Sequence, residues 1–298
     1  MPTVAIPNVR SLIALPALIW IGAGDAQADN WTADRFHLFY SNDSNAAPRL
    51  DRWRTVALAG EWVFNRRPGR QVAVQVGAEI IAPERLNPAG IPTDRAFAGI
   101  VQAQVREYRT YGRWETRWDA GLSFVGPQTG LSDFLDAAHG VLGGVPVSAF
   151  VANTQVPNDV VPEIGGEVAA RITVNTVVFR PFAEVQAGLE TYARVGVDFG
   201  VLSDPGVQRM PVTGALMGQP VTGWSFGGGL DVTHVTASHL VPAGRSVSLE
   251  PNRLRLRAAA SYGLNGRSVD FGLAWMGPEF TEQRSGQFIG TVGLTFDF

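Results

Sequence analysis

The chain has 298 residues, 45% of them hydrophobic, yet its mean hydropathy is only +0.05, too low for a protein that crosses a membrane with helices. All 24 basic residues are arginine and the formal net charge is −3, so there is no charge excess to draw nucleic acid; the lack of cysteine removes disulfides, thiolate metal sites and cysteine nucleophiles. With 34 glycines, 8 tryptophans and only 17% charged residues, the composition suits many strands and turns.

In chain order, Arg10 precedes the apolar run SLIALPALIWIGAG, followed by Ala26-Gln27-Ala28, the small-x-small pattern at which a signal peptidase cuts. The run is too short to span ~30 Å of hydrocarbon and contains Pro16, so residues 1–28 read as a cleaved signal peptide and 29–298 as the mature domain. From Asp34 onward the pattern has period two. In RQVAVQVGAEII, Val72, Val74, Val76, Ala78 and Ile80 share one face, and Gln71, Gln75 and Glu79 the other. In RWETRWDAGLSF, Trp114, Thr116, Trp118, Ala120, Leu122 and Phe124 oppose Arg113, Glu115, Arg117, Asp119 and Ser123.

Segments of roughly 10 to 12 such residues are the length a tilted strand needs to cross a bilayer, against about 5 or 6 in soluble folds. Aromatic residues near strand ends (Trp53, Trp62, Phe64, Trp114, Trp224, Trp275) fit girdles at the two interfaces. The spacing predicts an all-β, antiparallel transmembrane barrel of about twelve strands, near 34–41, 53–64, 70–81, 95–107, 113–124, 163–174, 177–187, 190–201, 223–236, 252–263, 267–276 and 286–298. Even parity puts both termini in the periplasm, with short turns at 65–69, 108–112, 175–176 and 265–266 on that side. The connection 202–222 is too long for this rule and implies either a register slip or an ornate periplasmic turn. The last strand sets Phe288, Val292, Leu294, Phe296 and Phe298 on one face, like the signal read by the barrel assembly machinery of the bacterial outer membrane.

This topology brings Asn42-Asp43, Thr55, the stretch from Glu79 to Arg85, Asp94-Arg95 and the connection holding His139 to one extracellular rim. Thr55 shares parity with Ala57, Ala59 and Glu61, so its hydroxyl is expected to point inward. The bland readings are an Asx turn for Asn42-Asp43, a β-branched strand residue at Thr55, a solvated histidine at 139, and arginines paired with lumen carboxylates. His37, His234 and His239 lie outside the rim cluster and read as structural.

The runs LFYSNDSNAAPRLDRWRT, PTDRAFAGIVQAQV, LSFVGPQTGLSDFLDAAHGVLG and PEFTEQRSGQFIGTVGLTFDF, in this order, resemble the outer-membrane lipid A 3'-O-deacylases. The resemblance implies a calcium-dependent esterase acting on lipid A, the anchor of lipopolysaccharide, among the lipids of the outer leaflet. Carried over by position, His139, Asp43, Asn42 and Thr55 would form the active site, with Asn42 and Asp43 as hard oxygen ligands for Ca2+ and His139 activating water. Arg85 and Arg95 would hold a phosphate or sugar of the substrate. The chain departs from the family in three places. A Lys-Arg pair after the third strand is reduced to Arg85, Leu131-Ser132-Asp133 stands where a glutamine often precedes the histidine, and Gly188-Leu189 replaces a Gly-Asn.

Two other functions compete. A non-enzymatic barrel, structural or passing small solutes, is disfavoured as an open pore, because wide channels need about 16 or more strands. A phospholipase-type esterase would want a serine nucleophile, but there is no Gly-x-Ser-x-Gly elbow, and Ser132 is the serine closely preceding His139.

Overall fold

Strictly alternating strands of this length can bury their polar face only by closing on themselves. The protein does so in the computed structural model, which describes residues 33–43, 53–67, 69–88, 94–201, 208–218, 222–241 and 247–298. The signal-peptide segment 1–28 lies outside the described residues.

The strands are β1 (Ala33–Asn42), β2 (Trp53–Arg67), β3 (Arg70–Ala82), β4 (Ala98–Tyr111), β5 (Trp114–Val125), β6 (Asp159–Ala170), β7 (Ile172–Val174), β8 (Val177–Ala187), β9 (Glu190–Gly200), β10 (Gly223–Ser238), β11 (Asn252–Leu264), β12 (Arg267–Met276) and β13 (Gln287–Asp297). Segments β6 and β7 are interrupted only at Arg171 and both pair with β8, so they act as one strand of a twelve-stranded wall. All pairings are antiparallel; β1 pairs with both β2 and β13, and β6 with β8, which closes the barrel.

The alternation holds around the wall. Trp114, Trp118 and Leu122 are exposed on the outer face of β5, while Glu115, Asp119 and Ser123 are buried inside. The bare outer side is an apolar belt suited to the hydrocarbon of a membrane. The interior is crossed by arginine–carboxylate bridges. Arg180 pairs with Glu115 (2.6 Å), Arg117 with Glu184 (2.9 Å) and Arg255 with Asp231 (3.1 Å), all bridging different strands. Such charges are tolerated because each is matched and hydrogen-bonded.

Several strand boundaries differ from the sequence reading: β2 runs on to Arg67 and β6 begins at Asp159, against ends expected near 64 and 163, and both ends of β4 shift. β4 starts at Ala98 rather than near residue 95, because Asp94 folds back to accept from the backbone N–H groups of Glu84 (2.5 Å) and Arg95 (2.7 Å) and holds 95–97 in the loop. At its other end β4 continues through the expected turn at 108–112 to Tyr111, which pairs with Trp114, so that only Gly112 and Arg113 turn. Gly112 has φ 59°, a left-handed value that glycine adopts without strain. The turns at Asn175-Thr176 and Asn265-Gly266 fall as expected; Asn265 and Gly266 both have positive φ, as a type I′ hairpin requires.

The long connection between β9 and β10 is no register slip, since the two strands pair in register from Gly200 opposite Gly227 to Val195 opposite Val232. Its described part, residues 208–218, folds into the lumen as a plug. Met210, Ala215 and Met217 pack on the inward-facing Phe39 and Ala59, and Arg257 donates to the carbonyl of Gly214 (2.9 Å). Arg209 anchors it to the wall through Asp198 (2.7 Å) and Glu167 (3.1 Å), with its guanidinium over the ring of Phe182. Arg209→Ala leaves these carboxylates with one cation fewer in a buried site, and should lower stability by about 3 kcal/mol. Urea titration of the refolded barrel in vesicles reads the loss; an unchanged midpoint would show that the plug is not held this way.

Candidate active site

The extracellular rim is built by the ends of strands remote from the termini. β1 delivers Asn42 opposite Val56 of β2, so Asp43 follows directly toward Thr55. Between Arg54 and Val56 the β2–β3 register shifts by a bulge, and Thr55 is the inserted residue. Strand parity alone therefore does not set its direction. Thr55 is buried, and its hydroxyl has no hydrogen-bond partner among the described residues. Asp43 is buried as well, and the Asn42 side chain donates from Nδ2 to the Tyr40 hydroxyl (3.1 Å).

The connection from β5 to β6 carries two helices, α1 (Leu131–Leu142) and α2 (Ala149–Asn153). Helix α1 starts and stops at glycines in the left-handed conformation, Gly130 (φ 67°) and Gly143 (φ 75°). It lies on the outside of the wall. Ile80 belongs to the outward row of β3 with Val76, yet Val76 is 46% exposed and Ile80 only 2%. What covers Ile80 is a cluster with Leu86, Phe97, Leu135 and Val151, against which Leu131, Val147 and Val56 also pack. Gly99, the partner of Ile80, confirms the contact, because a Cβ there would stand 2.8 Å from Leu131. Val56 thus links the two halves of the site, pairing with Asn42 on one side and packing against the α1 cluster on the other.

His139 follows Leu131 and Leu135 at intervals of four, on the helix face turned to the wall. Its Nδ1 lies 2.6 Å from the carbonyl oxygen of Val145. A carbonyl can only accept, so Nδ1 carries the proton and donates, and in the neutral ring Nε2 is the basic nitrogen. The turn that supplies the carbonyl is pinned at several points: Gly144 N–H donates to the His139 carbonyl (2.9 Å), Val147 N–H to Asp136 (2.9 Å) and Ser148 N–H to the Leu86 carbonyl (2.9 Å). Gly144 also gives the ring its seat, since a Cβ there would stand 2.7 Å from His139 Cγ. Gly144→Ala should therefore displace the imidazole and cut any His139-dependent activity at least tenfold with the barrel intact; full activity would show that the ring does not depend on this seat.

The arginines expected to meet substrate separate. Arg85 is exposed in the loop after β3. Arg95 is buried, with its guanidinium donating to Glu279 in the β12–β13 connection, so the expectation that it contacts substrate is revised to a rim-holding role. Glu279 also takes Arg54 (2.7 Å), which reaches Glu79 (2.7 Å) as well. Burial by itself would push the Glu279 carboxyl up; the guanidiniums of Arg54, Arg95 and Arg253 outweigh it and hold the carboxyl well below the usual range. Phe280 packs edge-on against Trp53, ring centroids 6.1 Å apart. The remaining histidines sit elsewhere, His37 bonded to Thr295 (2.9 Å), His234 to Asn252 (2.9 Å) and His239 beside Asp159 (3.2 Å).

Sequence reasoning missed α1, the seat at Gly144, the Val145 carbonyl and Glu279. Helix α1 did have a signal, a run of apolar residues at helical spacing between two glycines.

With this geometry in place, comparison with solved structures is informative. The barrel is similar to LpxR. The match to LpxR from Salmonella typhimurium covers 89% of this chain and 100% of that one, with a TM-score of 0.74 at 18% identity. At that identity the likeness to LpxR is one of fold. The beta domain of the Bordetella autotransporter BrkA (TM-score 0.45, 12% identity, 89% and 99% of the chains) and the KdgM porin (0.44, 7%, 89% and 99%) are far less similar. No protein-family model matches the sequence, and no curated protein matches it.

Proposed function

We propose that the protein is a lipid A deacylase of the outer membrane, hydrolysing the ester of the 3'-linked acyloxyacyl chain in the outer leaflet. The observation that carries this reading is His139, its tautomer set by the Val145 carbonyl, on a helix whose cluster on the outer wall takes in Val56, the strand partner of Asn42. The fold likeness to LpxR and the motif resemblance to the lipid A 3'-O-deacylases support it.

An ester approaching from the leaflet meets this face without entering the lumen, where the plug and the ion pairs leave only a polar cavity of about 290 Å³. Water held at His139 Nε2 gives its proton to the imidazole as its oxygen attacks the ester carbonyl. The C–O bond to the sugar then breaks, and the imidazolium returns the proton to the leaving sugar oxygen, so ester and water become a carboxylic acid and a sugar hydroxyl. Thr55 orients the water or donates to the oxygen that becomes negative.

The donor set suits a hard cation: Asp43 offers a buried carboxylate, Asn42 an amide oxygen, and Thr55 a buried hydroxyl lacking a protein partner. Among the described residues no group of three or more His, Asp or Glu side chains comes together to hold a metal, so further ligands would be main-chain carbonyls, water and substrate. Calcium bound there would polarise the ester carbonyl and offset its developing charge. Arg85, exposed and without a lysine beside it, is proposed to meet a lipid A phosphate.

Purified protein in detergent, given lipid A with calcium or with chelator, tests the reading by mass spectrometry. The 3'-acyloxyacyl mass should be lost with calcium and retained with chelator. Lipid A left whole by folded protein in calcium would overturn the assignment, and cleavage unaffected by chelator would remove the cation from it.

A further inference from the structure

Helix α1 is more apolar than its seat on the wall requires. At roughly 100° per residue, Leu131, Ser132, Leu135 and His139 fall within one arc of about 100°, and Ser132 and Leu135 are buried there. Asp136 and Asp133 follow beyond Ser132 on one flank of that arc. On the other flank, next to Leu131, runs a third strip, Phe134, Ala138 and Val141, continued past the helix end by Val145. Among the described residues this strip is largely bare: Phe134 is 62% exposed, Val141 85% and Val145 56%, with the small Ala138 half-buried between them.

Its position on the barrel tells what covers it. The outward row beneath α1 is Val56, Ile80 and Gly99, and the next outward residue down β2, Leu58, is 53% exposed in the open belt. Two residues along a strand are ~7 Å, less than the ~10 Å width of a helix. A helix seated on the upper row therefore reaches into the zone that the acyl chains of the leaflet occupy around the wall. The strip is continuous with that established lipid-facing surface, and it carries no charge.

We infer that the Phe134–Ala138–Val141 strip of α1 is a membrane-docking surface, immersed in the acyl layer of the outer leaflet. Lipid, rather than protein, then completes the packing of the helix that carries His139, and the acidic edge at Asp133 and Asp136 stays in the aqueous head-group layer. This holds whether or not the barrel cleaves lipid A, and it does not depend on the reaction proposed above.

The natural absence of cysteine makes single labels unambiguous. Phe134→Cys, Val141→Cys and Asp133→Cys, each carrying a nitroxide, are reconstituted in vesicles of phospholipid and lipopolysaccharide. Folding is checked by heat-modifiable gel migration, and collisions with oxygen, which concentrates in lipid, are compared with those of a water-soluble nickel chelate. Labels at 134 and 141 should favour oxygen at least several-fold over the label at 133. Equal nickel accessibility at all three would overturn the inference. Exclusion of both reagents from 134 and 141 would overturn it too, because a protein surface such as a second copy would then be the cover. Deacylase assays on the same samples report separately on the catalytic proposal.

Discussion

His139→Ala should lower the rate of lipid A deacylation by roughly 10²- to 10⁴-fold, the range a positioned general base contributes, while leaving the barrel folded. The stability half of this expectation follows from the position of the ring. His139 sits in the last turn of a surface helix, partly exposed, and the cluster that fixes that helix to the wall is made by Leu135, Ile80, Phe97 and Val151 without it. The rate half follows from the Val145 contact, which leaves Nε2 as the basic nitrogen of the neutral ring. His139→Gln removes the base and keeps a polar side chain, so it should be as slow as the alanine variant. Rates within threefold of wild type in either variant would mean that another group activates the water.

The second large effect is structural. Glu279→Ala leaves the buried guanidinium of Arg95 without its carboxylate and deprives Arg54 of one of two close partners, a change expected to cost about 3–5 kcal/mol. Because Glu279 closes the rim from the β12–β13 connection while Arg54 adjoins Thr55, the loss should also loosen the Thr55 bulge and reduce activity. The pH dependence has a definite sign. The carboxyl of Glu279 is held below its unfolded value, so its contribution is fully present above the ordinary glutamate pKa near 4.3, shrinks as pH falls below it and is gone once pH passes the lower folded value. Between pH 7 and 5 the wild-type midpoint should not change on account of this group. Urea midpoints for wild type and Glu279→Ala at pH 7 and pH 3 read this: the gap should narrow at the lower pH, and a gap that widened would contradict the depressed carboxyl.

The wall was legible because each strand states its two faces in its own residues: Trp114, Trp118 and Leu122 need lipid, and Glu115 and Asp119 need partners, wherever the strand pairs. What was illegible depended on residues far apart in the chain. The boundary of β4 is set by Asp94 reaching back to Glu84, and the position of Thr55 by a bulge that exists only once β2 pairs with β3. The plug is one such case, since nothing within 208–218 announces that Arg209 will find Asp198 and Glu167 inside a barrel.

At the site, residue types were readable and roles were not. Asn42, Asp43, Thr55 and His139 are expected at one rim from strand order, but the Val145 contact involves a backbone atom that residue chemistry does not single out. Arg95 looked like Arg85 in sequence, two arginines at a rim, and only the burial of Glu279 separates them. The alternation also gave no warning that α1 would cover an outward row of the wall, because Ile80 reads as lipid-facing and is, until the helix lies on it.

The central claim is that this barrel removes the 3'-linked chain of lipid A with His139 on its outer wall. Mass spectrometry of lipid A from outer membranes of cells expressing wild type or His139→Ala, at equal levels of folded barrel, tests it most directly. The account predicts loss of the 3'-acyloxyacyl mass with wild type and intact lipid A with the variant. Intact lipid A in both, or equal loss in both, would contradict it.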